Sequence, residues 1–329
     1  MKTLRLKFVS LSLLLILAIT ALWIGCETNE TSQDSPVDQQ QSPIEKSKRP
    51  TKTLDQGVQD LLVVALFTGE VFRYDGGTGV FVEVFTSGEG LEGAEDLAYG
   101  PDGNLYVGGA FSDNVVRYDG QTGEFIDVFV PSGTGHLKEV ASLMFGQDDN
   151  LYVSSHHNMR VLRYDGVAGD FLGRFTSRRQ PGDPIGLAFG PDGHLYVASG
   201  SGHIILRYDG ITGEFLDVFV SKRSGGLNVP GGIAFGPDDN LYVCSLETDE
   251  ILRYSGTAGE FLGAFVSAAS GGLDRPIDLV FGPDGNLFVT SRRTNQVLRY
   301  NGATGEFIDV FVSAGSGGLD APFGLVFMP

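Results

Sequence analysis
Beyond residue 57, three pairs of adjacent bases stand out in an otherwise acidic chain: Arg178-Arg179, Lys222-Arg223 and Arg292-Arg293. A guanidinium donates two parallel hydrogen bonds in a fixed fork, so such pairs suit a carboxylate or a phosphate. Four histidines, His136, His156, His157 and His203, bring the residue type most used for zinc. Their spacing argues against a metal: His156 and His157 are neighbours, point apart on an extended loop, and share "SSHHNMR" with no acid. Glu95, Asp96 and Asp278 carry hard oxygen donors of the kind that hold calcium. The 329 residues carry 41 acids against 23 bases, a formal charge of −18. That balance excludes a nucleic-acid partner, whose binding rests on Lys and Arg neutralising phosphates. With only Cys26 and Cys244, no disulfide framework holds the fold.

The elements that must position these residues are written six times. Arg-Tyr recurs at Arg73, Arg117, Arg163, Arg207, Arg253 and Arg299, at spacings of 44, 46, 44, 46 and 46 residues. A period in that range specifies a solenoid or a propeller. The last full repeat, "PIDLVFGPDGNLFVTSRRTNQVLRYNGATGEFIDVF", divides into four short apolar runs, A to D. "GPDG" separates A from B and "NGATG" separates C from D; both are Gly-closed turns between antiparallel strands. No segment has the 3.6-residue apolar period of a helix. Four strands in about 45 residues is the signature of a propeller blade.

Circular closure supports this reading. The repeats open at "DLLVVALFTGEVFRYDGGTGVFVEVF", which supplies strands B, C and D but no A, and end at "APFGLVFMP", an A strand with nothing after it. The expected fold is therefore all-β: a six-bladed propeller over residues 58–329, closed by the C-terminal strand A pairing with the N-terminal strands. Closure removes the free sheet edges that invite aggregation, and the molecule is expected to be a monomer. The six arginines, tyrosines and phenylalanines of the repeat read as scaffold, because a group needed once for chemistry would not be written in every blade. The tyrosines are expected to pack between blades with their hydroxyls wet. Acids of strand D, such as Glu214, Asp217, Glu306 and Asp309, are expected to discourage pairing with another chain.

"GPDGNLYV", a polar loop and "VLRYDG" resemble NHL-type six-bladed propellers and, more distantly, the streptogramin-lyase and gluconolactonase-like propellers. The resemblance covers residues 58–329 and is specific for fold; such scaffolds host many unrelated activities. Gluconolactonase-like propellers hold a divalent cation at the channel with Glu, Asn and Asp ligands. Of the corresponding positions here only Glu95, Asp96 and Asp278 carry acids, which leaves room for a weak calcium site and does not support a lactonase. Streptogramin lyases follow strand B with an acid-bearing "FTE" where this chain has "YVGG", "YVSS" or "YVAS", so their catalytic His and Glu find no counterpart.

In a propeller the B–C and D–A loops open on one face and the A–B and C–D turns on the other. The template is constant on the second face, and the irregular residues gather on the first. His156, His157, Arg178, Arg179, Lys222, Arg223, Arg292 and Arg293 should share that rim, with His136 and His203 on the same face. The rim is either solvated surface charge or a site for an anionic partner: a carboxylated glycan, a small molecule or an acidic protein loop. The function read from the sequence is a non-enzymatic binding or scaffold module using this face, with no cofactor. The alternative is a metal-dependent lactonase or lyase at the channel mouth, using Glu95, Asp96, Asp278 and nearby histidines.

The N-terminal segment reads as an export signal. "MKTLRLK" carries three bases and no acid, and an apolar run from Phe8 to Ile24 ends at Gly25-Cys26. A small residue directly before such a Cys resembles the bacterial lipoprotein signal, which implies cleavage after residue 25 and lipidation of Cys26. Residues 26–57 are rich in Ser, Thr, Gln and Pro and read as a solvated tether. The expected location is extracytoplasmic, anchored to a membrane through the N-terminal lipid.

Overall fold
A computed structural model describes residues 58–176 and 183–329. The expected leader, Cys26 and the tether lie outside these residues, as do Arg178 and Arg179.

The described chain forms six four-stranded antiparallel sheets. In blade 1, strands B (Leu61–Ala65), C (Glu70–Tyr74) and D (Phe81–Ser87) follow one another, and strand A is Pro322–Phe327 from the C-terminus. The A strands of blades 2 to 6 are Ala94–Tyr99, Val140–Phe145, Pro184–Phe189, Pro230–Phe235 and Pro276–Phe281. At the seam Leu61 pairs with Phe327, Leu62 with Val326 and Val63 with Leu325. The Met328 N–H then donates to the Asp60 carbonyl at 2.8 Å. This is the closed ring that the missing first strand A predicts.

Strand burial follows from the ring. Strand B is buried on both faces in each blade, as in "LYVGG" or "LYVCS", because each sheet is covered by a blade on either side. Strand D begins exposed and ends buried. Two joints repeat between blades. The C–D glycine stands at positive φ against the carbonyl of the preceding blade's strand D phenylalanine; a Cβ on Gly123 would lie 1.9 Å from the Phe85 oxygen, and one on Gly79 would lie 1.8 Å from that of Phe311 across the seam. Only glycine meets both demands.

The second joint corrects the reading of the tyrosines, whose hydroxyls are not wet. Tyr74, Tyr164, Tyr254 and Tyr300 are fully buried. Each donates its hydroxyl to a carbonyl in the short 3-10 turn that leads into its own blade, at Ser316 (2.9 Å), Thr134 (3.0 Å), Ser224 (2.8 Å) and Ser270 (2.8 Å). A buried hydroxyl without such a partner would be costly, so the turn and the ring hold each other in place.

The strand C arginines are partnered too. Arg117 and Arg299 fork onto Asp127 and Asp309 of strand D, and Arg207 bonds Asp217. The guanidinium of Arg117 lies 5.1 Å from the centre of the Phe129 ring, which meets Tyr106 edge-on at 4.8 Å. The strand D aspartates thus fix the arginines above the inter-blade aromatic stack, a role beyond guarding the edge.

Phe323 and Leu325 of the closing strand are buried, each worth about 2 kcal/mol. Deleting Pro322 to Pro329 removes both and uncovers the backbone of strand B in blade 1. The truncated protein is expected to elute as aggregate in size-exclusion chromatography, whereas a monomer with an unchanged melting temperature would contradict closure by this strand.

Candidate functional site
The site lies at one mouth of the channel and is built from positions that recur in every blade. In strand A the pairing with strand B slips by one residue near the start, a β-bulge present in all six sheets. A bulge re-aims side chains. Here it turns Glu95, Ala141, Ile185, Gly231, Ile277 and Phe323 into one cavity of about 360 Å³. One residue deeper the axis is ringed by Asp96, Ser142, Gly186, Gly232, Asp278 and Gly324.

The wall above comes from a clasp between the B–C loop and the residue preceding strand A. In every blade the first loop residue donates its N–H to that residue's carbonyl: Leu66 to Ala321, Ala110 to Gly93, His156 to Glu139, Gly200 to Asp183, Leu246 to Val229 and Arg292 to Arg275, at 2.8–3.2 Å. The clasp brings His156, Glu139, Asp183, Arg275 and Arg292 to the cavity. Glu139, Val229, Arg275 and Ala321 take left-handed backbone there, with φ of 54°, 53°, 57° and 49°. Because Val229 and Ala321 share it, the strain belongs to the scaffold and not to the chemistry.

A second clasp joins neighbouring blades. The last B–C loop residue accepts the N–H of the residue preceding the next strand A: Asp113 from Glu139 (2.7 Å), Asp249 from Arg275 (2.7 Å), Asn295 from Ala321 (3.0 Å) and His203 Nδ1 from Val229 (3.0 Å). His203 therefore fills a position where its counterparts are Asp or Asn. Burial, then Arg223 and Lys222, hold it below the usual imidazole range, which keeps Nδ1 free to accept.

The structure divides the predicted rim. His156 and Arg292 line the cavity. His157 pairs through Nδ1 with Glu139, and Arg293 with Asp274 at 3.3 Å; both are exposed. Lys222 and Arg223 are exposed on the connection between blades 4 and 5 and do not reach the cavity. His136 ends a 3-10 turn, where its carbonyl accepts from Asn158. The sequence reading missed Glu139, Asp183, Arg275 and Phe111. The first three precede strand A, and counting back from the bulge would have found them.

Charge is distributed unevenly around the cavity. Blades 2 to 4 contribute Glu95, Glu139 and Asp183, with His156 Nε2 3.3 Å from Asp183. Blade 6 contributes both arginines: Arg275 pairs with Glu247 at 3.0 Å, and Arg292 lies 4.8 Å above the Phe323 ring centre. Burial, then the charges of Glu139 and Asp96, push Glu95 up to about 8, with Arg292 opposing. Burial and the Arg275 charge hold Arg292 below the usual guanidinium range.

Asp96 and Asp278 occupy the floor. Asp96 accepts the N–H of Leu97 at 2.8 Å and that of Leu143, on the next blade, at 2.9 Å. Asp278 accepts from Leu325 at 3.4 Å and also from Leu279. The glycines opposite make room: a Cβ on Gly232 would stand 2.2 Å from an Asp278 oxygen and one on Gly324 2.6 Å from an Asp96 oxygen. Burial raises both carboxyls above the usual range, and the Asp96 charge raises Asp278 further. Among the described residues no group of three or more His, Cys, Asp or Glu side chains is arranged to hold a metal ion.

No protein-family model matches the chain, and no curated protein matches it in sequence. Solved structures match its fold. A chain of the nidogen/laminin complex superposes with a TM-score of 0.66 at 16% identity, covering 82% of this chain and 98% of that one. The virginiamycin B lyase of Staphylococcus aureus gives 0.51 at 15% identity, covering 74% and 71%. A streptogramin B lyase gives 0.52 at 18%, covering 67% and 69%. At these identities the likeness is one of fold.

The buried aspartates make a prediction about pH. A carboxyl whose pKa is higher folded than unfolded binds more protons in the folded state, so stability is full at low pH and falls as pH rises above about 4. Asp278→Asn keeps an oxygen for the Leu325 N–H and removes the titration. It is expected to raise the melting temperature by several degrees at about pH 8.5 and by little at about pH 5. Equal shifts at the two values would show that Asp278 does not titrate unfavourably in the fold.

Proposed function
We propose that this protein is an exported, lipid-anchored propeller that binds a small ligand in the cavity on its B–C and D–A loop face. The observation that carries the reading is Arg292: a half-buried guanidinium, stacked on Phe323 and facing a cavity, with no ion pair or hydrogen bond among the described residues. A charge withdrawn from water without a partner is costly, and an anionic group entering the cavity relieves that cost. The cavity volume suits a metabolite-sized molecule. Arg275 and Arg293 are engaged with acids, and Lys222 and Arg223 stand outside the cavity, so the reading is of a small molecule held in the cavity and not of a large polyanion spread over the face.

A second reading, a lyase- or lactonase-type enzyme, draws on Glu95 and the His156–Asp183 pair. A carboxyl pushed up to about 8 still holds its proton at neutral pH, and a protonated acid near an imidazole can serve proton transfer. One experiment separates the readings. Equilibrium dialysis of the purified domain against a defined panel of carboxylates and phosphates is expected to enrich a compound, recovered unaltered. Arg292→Ala should reduce the enrichment at least tenfold, while Lys222→Ala with Arg223→Ala should leave it unchanged. Loss only in the rim variant would move the site to the rim, and recovery of an altered compound would favour the enzyme. The anchor has its own test: cells fed labelled palmitate should label the wild-type protein and not Cys26→Ala.

A further inference from the structure
Arg292 is not the only unspent group in the cavity. Glu95 faces the same space and makes no hydrogen bond or ion pair within 4 Å among the described residues, although Glu139, Asp183 and Arg275 each have a partner. Glu95 and Arg292 sense each other's charge, yet they do not meet. They rise from blades 2 and 6, the two neighbours of blade 1, whose Phe323 stands between them. An acid and a base that face one cavity and leave each other unpaired leave a gap for a molecule bearing both complements.

The rest of the cavity gives that molecule an orientation and an apolar end. Above the floor formed by Asp96 and Asp278, the acids Glu95, Glu139 and Asp183 stand on blades 2 to 4 and the arginines on blade 6, so the upper wall is polarised across the pocket. Ile185, Val229, Leu246 and Ile277 give the cavity an aliphatic side on blades 4 to 6. Phe111 stands at the entrance, 60% exposed despite its size. It is held there because Gly93 lacks a side chain; a Cβ would lie 2.5 Å from the ring.

We infer that the ligand is a small zwitterion of the free α-amino acid class with an apolar side chain. Its carboxylate is taken by the Arg292 fork and its ammonium by Glu95. The aliphatic side of the cavity covers the side chain, and Phe323 lies beneath the zwitterionic end. The assignment rests on the cavity being the ligand site, as proposed above, and adds the chemistry of the ligand. Each charged end of the ligand pairs with a group otherwise left unpaired: loss of the carboxylate leaves the Arg292 charge without a partner, and loss of the ammonium leaves the Glu95 carboxyl without one. Glu95, neutral in the free protein, ionises against an ammonium; the groups facing it are Asp96, Asp278, Glu139, Asp183, His156, Arg275 and Arg292.

Isothermal titration with L-leucine and L-phenylalanine tests the inference against three blocked probes: N-acetyl-leucine, leucinamide and isocaproate. At least one free amino acid is expected to bind, with each blocked probe weaker by tenfold or more. In Glu95→Gln the free amino acid should weaken about tenfold and N-acetyl-leucine should not; in Arg292→Ala the advantage of leucine over leucinamide should vanish. The wild type should also release a proton on binding at neutral pH, read from the dependence of heat on buffer, and Glu95→Gln should not. If isocaproate binds as tightly as leucine and loses affinity in Arg292→Ala, the cavity is the ligand site but the zwitterion assignment is wrong. If no amino acid binds at about 10 mM while the dialysis panel yields another compound, the assignment is again overturned and the cavity reading stands. Binding of leucine that survives both substitutions would overturn both.

Discussion
Strand A of each blade carries one more residue than strand B can pair, and the chain absorbs the excess as a bulge beside the central axis. That local mismatch governs most of what the molecule presents to a ligand. It aims one side chain per blade into the cavity. The residue after it comes to the channel floor, where N–H groups of the A strands meet the carboxylates of Asp96 and Asp278. Strand A is the edge strand of each sheet, and these axis-facing amides, which strand B does not use, are spent on the two carboxylates. The bulge is common to all blades, so it belongs to the scaffold. Specific chemistry enters only through which residue each blade places there.

The division between constant and variable positions follows from the ring. The C–D glycine contacts the preceding blade, the strand C tyrosines of four blades bond the turn leading into their own, and the strand C arginine ties strand D to the aromatic rings of its own blade, so a change in any one opens a joint that the other blades do not compensate. The bulge position meets no such demand: glutamate, alanine, isoleucine, glycine and phenylalanine all occupy it. The floor is more restricted, because the A strands converge there. A Cβ on Gly186 would stand 2.4 Å from the Gly231 carbonyl oxygen. Two aspartates fit only because glycines face them, and confinement in that narrow throat keeps their carboxyls protonated to higher pH than carboxyls in water.

Much of this was legible in the sequence, for reasons that differ by element. The period, the turn glycines and the missing first strand A specify blade number and closure, because they are local features repeated six times. His156 and Arg292 were visible as departures from the template. Glu139, Asp183 and Arg275 were not, since they sit at the end of the variable D–A connection, and only the clasp to the B–C loop, which is not visible in one dimension, shows that the residue two before the bulge reaches the cavity. The pairing of bases with acids was also hidden. His157 with Glu139, and Arg275 with Glu247, join residues about 20 to 30 apart in sequence, and only the clasps between loops bring them together. Of the rim read from one dimension as a band of free positive charge, His156, His157 and Arg293 are paired with acids in three, Lys222 and Arg223 stand exposed away from the cavity, and Arg292 faces the cavity without an ion pair among the described residues. His203 reads differently for the same reason: an imidazole that looks available in the sequence spends Nδ1 on a backbone amide.

The position of the free pair within the ring carries a further consequence. Glu95 and Arg292 flank blade 1, the only blade assembled from both ends of the described chain, and Phe323 between them belongs to the closing strand. Before the tail docks, the two charges have no aromatic floor between them and the cavity has no wall on that side. A molecule that bridges Glu95 and Arg292 over Phe323 therefore binds the closed ring and has little affinity for an open one. By mass action it must stabilise the seam by the free energy with which it discriminates the two states. The joint closed by the terminal strand and the part of the cavity assigned to the ligand's charged end are thus the same place. Occupancy of the site and integrity of the fold are coupled through one phenylalanine and the eight residues that carry it.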